Sequence, residues 1–224
     1  IDVTETGTDF YNERQRVEID LNKSLEVDEA YGVGNNGEIK DVTFGLYAAE
    51  ELTAADGSVI PADGLIEVIF LDENGHGKAI SDLPMGNYYV QETSTNSAYL
   101  VSDEKYPVDF AYAGQETAVV TITVNEGESI ENELIYGSVS GKKSNEDGED
   151  LGGAVIGIFK VGTTEFTKEN AIATATSEDD GSFSFVDVPY GTWCIREIKQ
   201  PTGFILNEKV FEITVTAVSY THLT

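Results

Sequence analysis

An internal repeat constrains this chain more than any other feature. Asp82–Glu92 reads DLPMGNYYVQE and Asp187–Glu197 reads DVPYGTWCIRE, so Asp, Pro, Gly, an aromatic, a β-branched residue and Glu recur in register at an offset of 105. Upstream, FGLY (Phe44–Tyr47) matches IGIF (Ile156–Phe159). A third landmark pairs Asn12-Glu13 with Lys23 and Asn132-Glu133 with Lys143, each asparagine lying 11 residues before its lysine. Three landmarks in the same order define a tandem array.

The repeats read as β-structure. VEIDLNK, VTFGLY, LIEVIF, NYYVQE, YPVDFAY, AVVTITV, SFSFV, TWCIREI and VFEITVT are short β-rich runs, many alternating at period two. ADG, ENGHG, EDG, DDG and NEGES punctuate them as turns. No stretch keeps a helical period; AAEELTAADG (Ala48–Gly57) suits a helical turn or a loop. Several short strands per roughly 100 residues is the pattern of an antiparallel sandwich. The expected fold class is therefore all-β, with tandem Ig-like antiparallel β-sandwich domains. Tyr136-Gly137-Ser138 marks the join, giving a first domain over 16–135 and a second over 136–224, incomplete at its C-terminus. By the Asn–Lys spacing, residues 1–15 are expected to be the last strand of a preceding domain whose body is absent.

Composition removes several classes of function. With 13 Lys+Arg against 41 Asp+Glu the formal net charge is −28, which repels nucleic acid and anionic membrane surfaces. A 40% hydrophobic content, evenly spread, excludes a disordered acidic tail. The single cysteine, Cys194, excludes an internal disulfide and any cysteine-based metal cluster. No run of about 18 apolar residues is present to insert in a membrane. The start at Ile1, without a signal peptide, suits a mature or excised piece. Most carboxylates are expected in turns and on outward strand faces.

Strand parity singles out three polar groups. In VEIDLNK, Val17, Ile19, Leu21 and Lys23 share a face, so the Lys23 amine points into the core. In YYVQE, Tyr88, Val90 and Glu92 share a face, and in IENEL so do Ile130, Asn132 and Leu134. The second repeat supplies Val139, Gly141 and Lys143, then Trp193, Ile195 and Glu197. Buried Lys and Glu are rare unless paired. One reading is a buried Lys–Glu ion pair hydrogen-bonded to the asparagine. The other is covalent. Burial disfavours the charged forms of both groups, so they can coexist as amine and acid. The amine is then a nucleophile for the asparagine carboxamide, with the glutamate shuttling protons as ammonia leaves. The product is an intramolecular Lys–Asn isopeptide bond, formed once and without an external substrate or cofactor, so the chain is not expected to be an enzyme.

The segments LPMGNYYVQE and VPYGTWCIREIKQPTGF resemble the E-box of Cna B-type domains, the SpaA/prealbumin-like domains of Gram-positive surface adhesins and pilins. That pattern runs Pro-x-Gly-x-aromatic-x-apolar-x-Glu, often followed by Pro-x-Gly-aromatic. Pro201-Thr202-Gly203-Phe204 supplies the ending in the second repeat, whereas the first has TSTNSAYL there. The resemblance covers nearly the whole chain and implies prealbumin-like sandwiches. It places the family's first-strand lysine on Lys23 and Lys143, its last-strand asparagine on Asn12 and Asn132, and its proton shuttle on Glu92 and Glu197. It implies a stalk module, extracellular and attached to the cell wall, whose partners are neighbouring repeats, with a host-matrix or glycan ligand elsewhere in the full protein. A loop-binding module for a host protein or glycan, and an accessory domain of a secreted enzyme, are the alternatives.

The second repeat breaks the pattern. No asparagine lies between Glu208 and Thr224, and Asn207 precedes the VFEITVT strand as a loop residue. Lys143 and Glu197 therefore lack an electrophile, and their bond is expected to be absent. The tail AVSYTHLT is unlike a final strand, and the natural sequence is expected to depart from it after Thr216. Lys142 rivals Lys143, since a bulge would reverse the parity. His76 and His222 read as loop residues, and NEDGED and EDDG as solvated turns without EF-hand spacing. No metal site is expected. Cys194 alternates out of phase with Trp193 and Ile195, and so faces away from their core.

Overall fold

The computed structural model describes residues 13–54 and 56–216. They form two compact units. One runs up to Ser24 and includes Ile39–Ser94 and Ser102–Ile130; the other comprises Leu25–Glu38, Thr95–Val101 and the chain from Glu131 onward.

The first unit is organised around β1 (Arg16–Leu25), whose apolar residues Val17, Ile19 and Leu21 are buried while their neighbours are not. There follow β2 (Thr43–Ala48), β3 (Leu52–Thr53), β4 (Val59–Ile60), β5 (Leu65–Phe70), β6 (His76–Ala79), β7 (Gly86–Ser94), β8 (Lys105–Phe110) and β9 (Val119–Thr123), and the unit ends at Ile130, the first residue of β10 (Ile130–Asn132). One sheet has the order β5-β2-β7-β8, and the other β10-β1-β6 with β9 also paired to β1. Both bury apolar side chains, Phe44, Leu46, Val90 and Val108 from the first and Val17, Ile19 and Leu21 from the second. Beyond Ala48, which ends β2, the stretch to Gly57 carries the two-residue β3, paired to β4, and no helix among its described residues. His76 opens β6 rather than lying in a loop, though its imidazole is exposed.

The β1–β9 pairing departs from the antiparallel pattern. β6 takes one edge of β1, while β9 runs parallel along residues 16–20 on the other edge and β10 follows it. A tight turn separates β9 from β10, with Asn125 and Glu126 in the left-handed region at φ 53° each. Asn22 Nδ2 donates to the Gly127 carbonyl at 3.1 Å and pins this turn to β1.

The second unit contains β11 (Tyr136–Lys142), β12 (Val155–Lys160), β13 (Ala173–Thr176), β14 (Ser182–Pro189), β15 (Gly191–Lys199) and β16 (Phe211–Val215). β11 pairs β14, and the larger sheet runs β13-β12-β15-β16. Val139, Ile156, Ile158, Phe185, Trp193 and Val215 form a core drawn from both sheets. Tyr31 joins it, its ring edge-on to Trp193 at 4.7 Å.

The FGLY and IGIF landmarks have a packing cause. Tyr47 folds its ring over Gly45 and Phe159 over Gly157, each glycine being two residues earlier on the outer face of its strand. A Cβ would stand 2.5 Å from Tyr47 Cε2 at Gly45 and 2.6 Å from Phe159 Cε2 at Gly157. Small-to-large changes in packed surroundings cost about 1–3 kcal/mol. Gly45→Ala and Gly157→Ala are each expected to lower stability by about that amount, read from urea midpoints; unchanged midpoints would show that the rings swing aside freely.

Candidate functional site

Lys23 sits on the inner face of β1, one step beyond Leu21, and is 4% exposed. Its Nζ donates to the carbonyl oxygens of Ser24 at 2.8 Å and Ile130 at 3.0 Å. Glu92, on the inner face of β7 after Tyr88 and Val90, is also 4% exposed and accepts from the Ser102 backbone N–H at 3.3 Å. Asn132 ends β10 and is 2% exposed, with Nδ2 donating to Thr95 Oγ1 at 3.1 Å. β10 is the sheet neighbour of β1.

The second repeat reproduces these local contacts. Lys143 Nζ donates to the next carbonyl, Ser144, at 3.1 Å, as Lys23 does to Ser24. Glu197 Oε2 accepts from the Asn207 N–H at 2.7 Å, ten residues downstream, as Glu92 does from Ser102. Two differences stand out. Lys143 is only half-buried, and Glu197 Oε1 is buried without a hydrogen-bond partner among the described residues. Both residues line a groove of about 300 Å³. Asn207 is an exposed loop residue whose Oδ1 accepts from the Lys209 N–H.

A bulge in β11 bears on the face that Lys142 and Lys143 take. It falls between Gly137 and Val139, ahead of both lysines, so Val139 and Lys143 keep a common face. Lys142 is exposed and pairs with Asp150 at 2.9 Å. Asn12, His222 and the AVSYTHLT tail lie outside the described residues. Among the described residues, no group of three or more His, Cys, Asp or Glu side chains is arranged to hold a metal ion, and no helix is long and apolar enough to cross a membrane.

The profile of the SpaA prealbumin-like fold domain matches residues 31–126 and 137–224, most of the chain. The chain belongs to that family. No curated protein matches its sequence. The Bacillus anthracis TIE protein has a similar fold, with a TM-score of 0.61 at 18% identity, over 92% of this chain and 33% of that one. A C-terminal fragment of the pilus adhesin SpaC from Lactobacillus rhamnosus GG aligns with a TM-score of 0.49 at 15% identity, over 90% of this chain and 82% of the fragment. The SpaA-type chain thus spans only a third of the TIE protein.

In both E-boxes the aromatic side chain closes the turn by a hydrogen bond to a main-chain carbonyl four residues earlier. Tyr88 Oη donates to the Pro84 carbonyl at 2.5 Å, and Trp193 Nε1 to the Pro189 carbonyl at 2.9 Å. Sequence parity placed Cys194 opposite Trp193 but did not show that this outer face is also covered. Cys194 is buried opposite Phe159 in the ladder, and Phe166, from the 161–172 loop, packs edge-on against Phe159 at 4.9 Å. The signal available was the Gly-x-aromatic spacing of IGIF, which marks an outer face that is packed rather than wet.

Trp193→Phe keeps the ring but leaves the Pro189 carbonyl without its donor, which costs about 1–3 kcal/mol for a buried acceptor. The loss is expected in the unfolding of the second unit, followed by Trp-independent circular dichroism. Burial pushes the phenols of Tyr88, Tyr99 and Tyr106 up to about 12 from 10.0. A raised folded-state value means stability is fully present below the unfolded value and is lost as pH rises through the folded one. Urea midpoints are therefore expected to hold up to pH 10 and fall between pH 10 and about 12; a flat profile across that window would contradict the burial of these phenols.

Proposed function

We propose that this chain is a structural stalk module of a Gram-positive surface adhesin or pilin, stabilised by a self-formed isopeptide bond between Lys23 and Asn132. The domains proposed are 16–135 and 136–224, with residues 1–15 as the last strand of a preceding domain. The observation that carries the reading is the burial of a lysine, a glutamate and an asparagine at family-matching positions of an otherwise apolar strand face. Three such side chains are costly to bury for packing alone.

In the proposed reaction Lys23 Nζ attacks the Asn132 carboxamide carbon, the Cγ–Nδ2 bond breaks and ammonia departs. Glu92 takes the proton from the attacking nitrogen and returns it to the leaving one. Folding supplies the rate, since fixed reactants reach effective molarities of about 10⁵–10⁸ M. The event happens once per chain. Its purpose is mechanical and thermodynamic: the bond closes a loop of 132 − 23 = 109 residues. A cross-link over about 100 residues stabilises by about 4.7 kcal/mol on the chain-entropy account. The partners proposed are neighbouring repeats of the same wall-attached protein, with any host ligand bound elsewhere in it.

Intact-mass measurement tests this directly. The unmutated chain is expected to be lighter than its sequence mass by one ammonia, and Glu92→Ala or Lys23→Arg to restore the full mass. Full mass in the unmutated chain would leave the buried ion pair as the correct account.

A further inference from the structure

Residues 26–42 link β1 to β2, whereas the matching connection of the second repeat, 143–154, is shorter and holds no aromatic. The longer connection carries Tyr31. Leu25–Glu38 belongs to the second compact unit although it comes from the first repeat. Tyr31 is 8% exposed and lies in the second unit's core with Ile156, Ile158, Phe185, Val188 and Trp193.

The loop is braced by its own hydrogen bonds, so the ring is held out as a fixed anchor. The Asp28 carbonyl accepts from the Gly32 and Val33 N–H groups at 2.7 and 3.1 Å, and the Asp28 N–H donates to the Val33 carbonyl at 3.0 Å. The Asp28 carboxylate accepts from the Tyr31 N–H at 3.0 Å. Gly32, at φ 69°, turns the chain immediately after the ring. Further along, Glu38 Oε1 accepts from the Gly34 N–H and from Asn36 Nδ2, each at 3.0 Å, and Asn36 Nδ2 also donates to the Gly32 carbonyl at 2.8 Å. At Gly34, with φ 97°, a Cβ would stand 2.5 Å from the Glu26 carbonyl oxygen and 2.6 Å from Tyr99 Oη.

The root of the loop is tied to the start of the second repeat. Glu26 Oε2 accepts from the Leu134 N–H at 2.7 Å and Oε1 from Tyr136 Oη at 3.2 Å, while the Glu26 carbonyl accepts from Tyr99 Oη at 2.8 Å. The Ile135 N–H donates to the Ala98 carbonyl at 2.8 Å, and the Tyr190 N–H to the Ile135 carbonyl at 2.7 Å. Ala98, Tyr99 and Leu134 are buried together, with Leu25, Val33 and Tyr190 packed against them. Two segments of the first repeat, 25–38 and 95–101, are thus built into the fold of the second unit.

We propose that the 25–38 loop is a docking element through which the second sandwich takes the first repeat as an obligate partner, with Tyr31 as the anchor. An aromatic ring held ready by a braced loop adds apolar contact without the cost of ordering a flexible segment. The consequence is an order written into the array. The first repeat can precede the second, whereas the second, with 143–154 in the matching place, cannot anchor a copy of itself in this way. The docking needs neither the Lys23–Asn132 bond nor attachment to a wall.

Trp193 is the single tryptophan, so its emission follows the second unit inside the full chain. Tyr31→Ala is expected to lower the urea midpoint of that emission. Amide exchange in β12 and β15 should become faster on the order of 100-fold, the loss that removal of a core aromatic brings. Exchange in β2 and β7 should stay at the parent rate. Tyr31→Phe, which keeps the ring, should match the parent, and replacing residues 27–37 by the sequence of 145–152 should match Tyr31→Ala. An unchanged Trp193 midpoint in Tyr31→Ala or in the loop replacement, equally faster exchange in β2 and β7, or damage from Tyr31→Phe as large as from Tyr31→Ala would overturn the proposal. Intact mass reports the Lys23–Asn132 bond separately in each variant, so either reading can fail while the other stands.

Discussion

The buried amine of Lys23 is the constraint on which the first unit depends. Its N–H donors cannot leave water without acceptors, because each unmet hydrogen bond costs about 1–3 kcal/mol against a folding margin of about 5–15 kcal/mol. The Ser24 and Ile130 carbonyls meet part of that demand. Since Ile130 opens β10, the requirement is also a requirement that the late chain return to β1. Hydrophobic burial of Val17, Ile19 and Leu21 draws β1 inward, and the lysine at the end of the same face makes its closing partner specific.

Comparison of the two repeats separates what is local from what needs closure. The lysine-to-next-carbonyl contact, the glutamate that accepts from the N–H ten residues on, and the E-box ring bonded back to its proline carbonyl occur in both. They arise from residues within one strand and its adjoining turn. Among the described residues, full burial of the lysine accompanies the flanking of the first strand by β9 and β10. The local motif therefore prepares the site, and the last strand completes its desolvation.

Much of this was legible from residue order. Alternation in VEIDLNK placed Val17, Ile19, Leu21 and Lys23 inside, and the structure buries all four. Glu92, Asn132 and Glu197 follow the same parity. Parity failed where a second layer of packing intervenes, as at Cys194, because the period of a strand says which face a residue takes but not what covers that face. Short strands such as β6, hidden in a glycine-rich turn sequence, were illegible because their order comes from pairing with β1 rather than from propensity. The parallel course of β9 had no signature of its own, being set by how the chain crosses between sheets.

That parallel course bears on how the first unit carries load. β1 enters the sheet at Arg16 opposite Val119, and the two strands then run the same way to Asp20 opposite Thr123. Tension applied ahead of β1 and beyond β10 draws the two strands lengthwise past each other. The hydrogen bonds of the ladder are then loaded in shear, all together, instead of being peeled from one end. Rupture demands that several bonds fail at once, so the order of the strands confers mechanical resistance on this sandwich before any covalent link is considered.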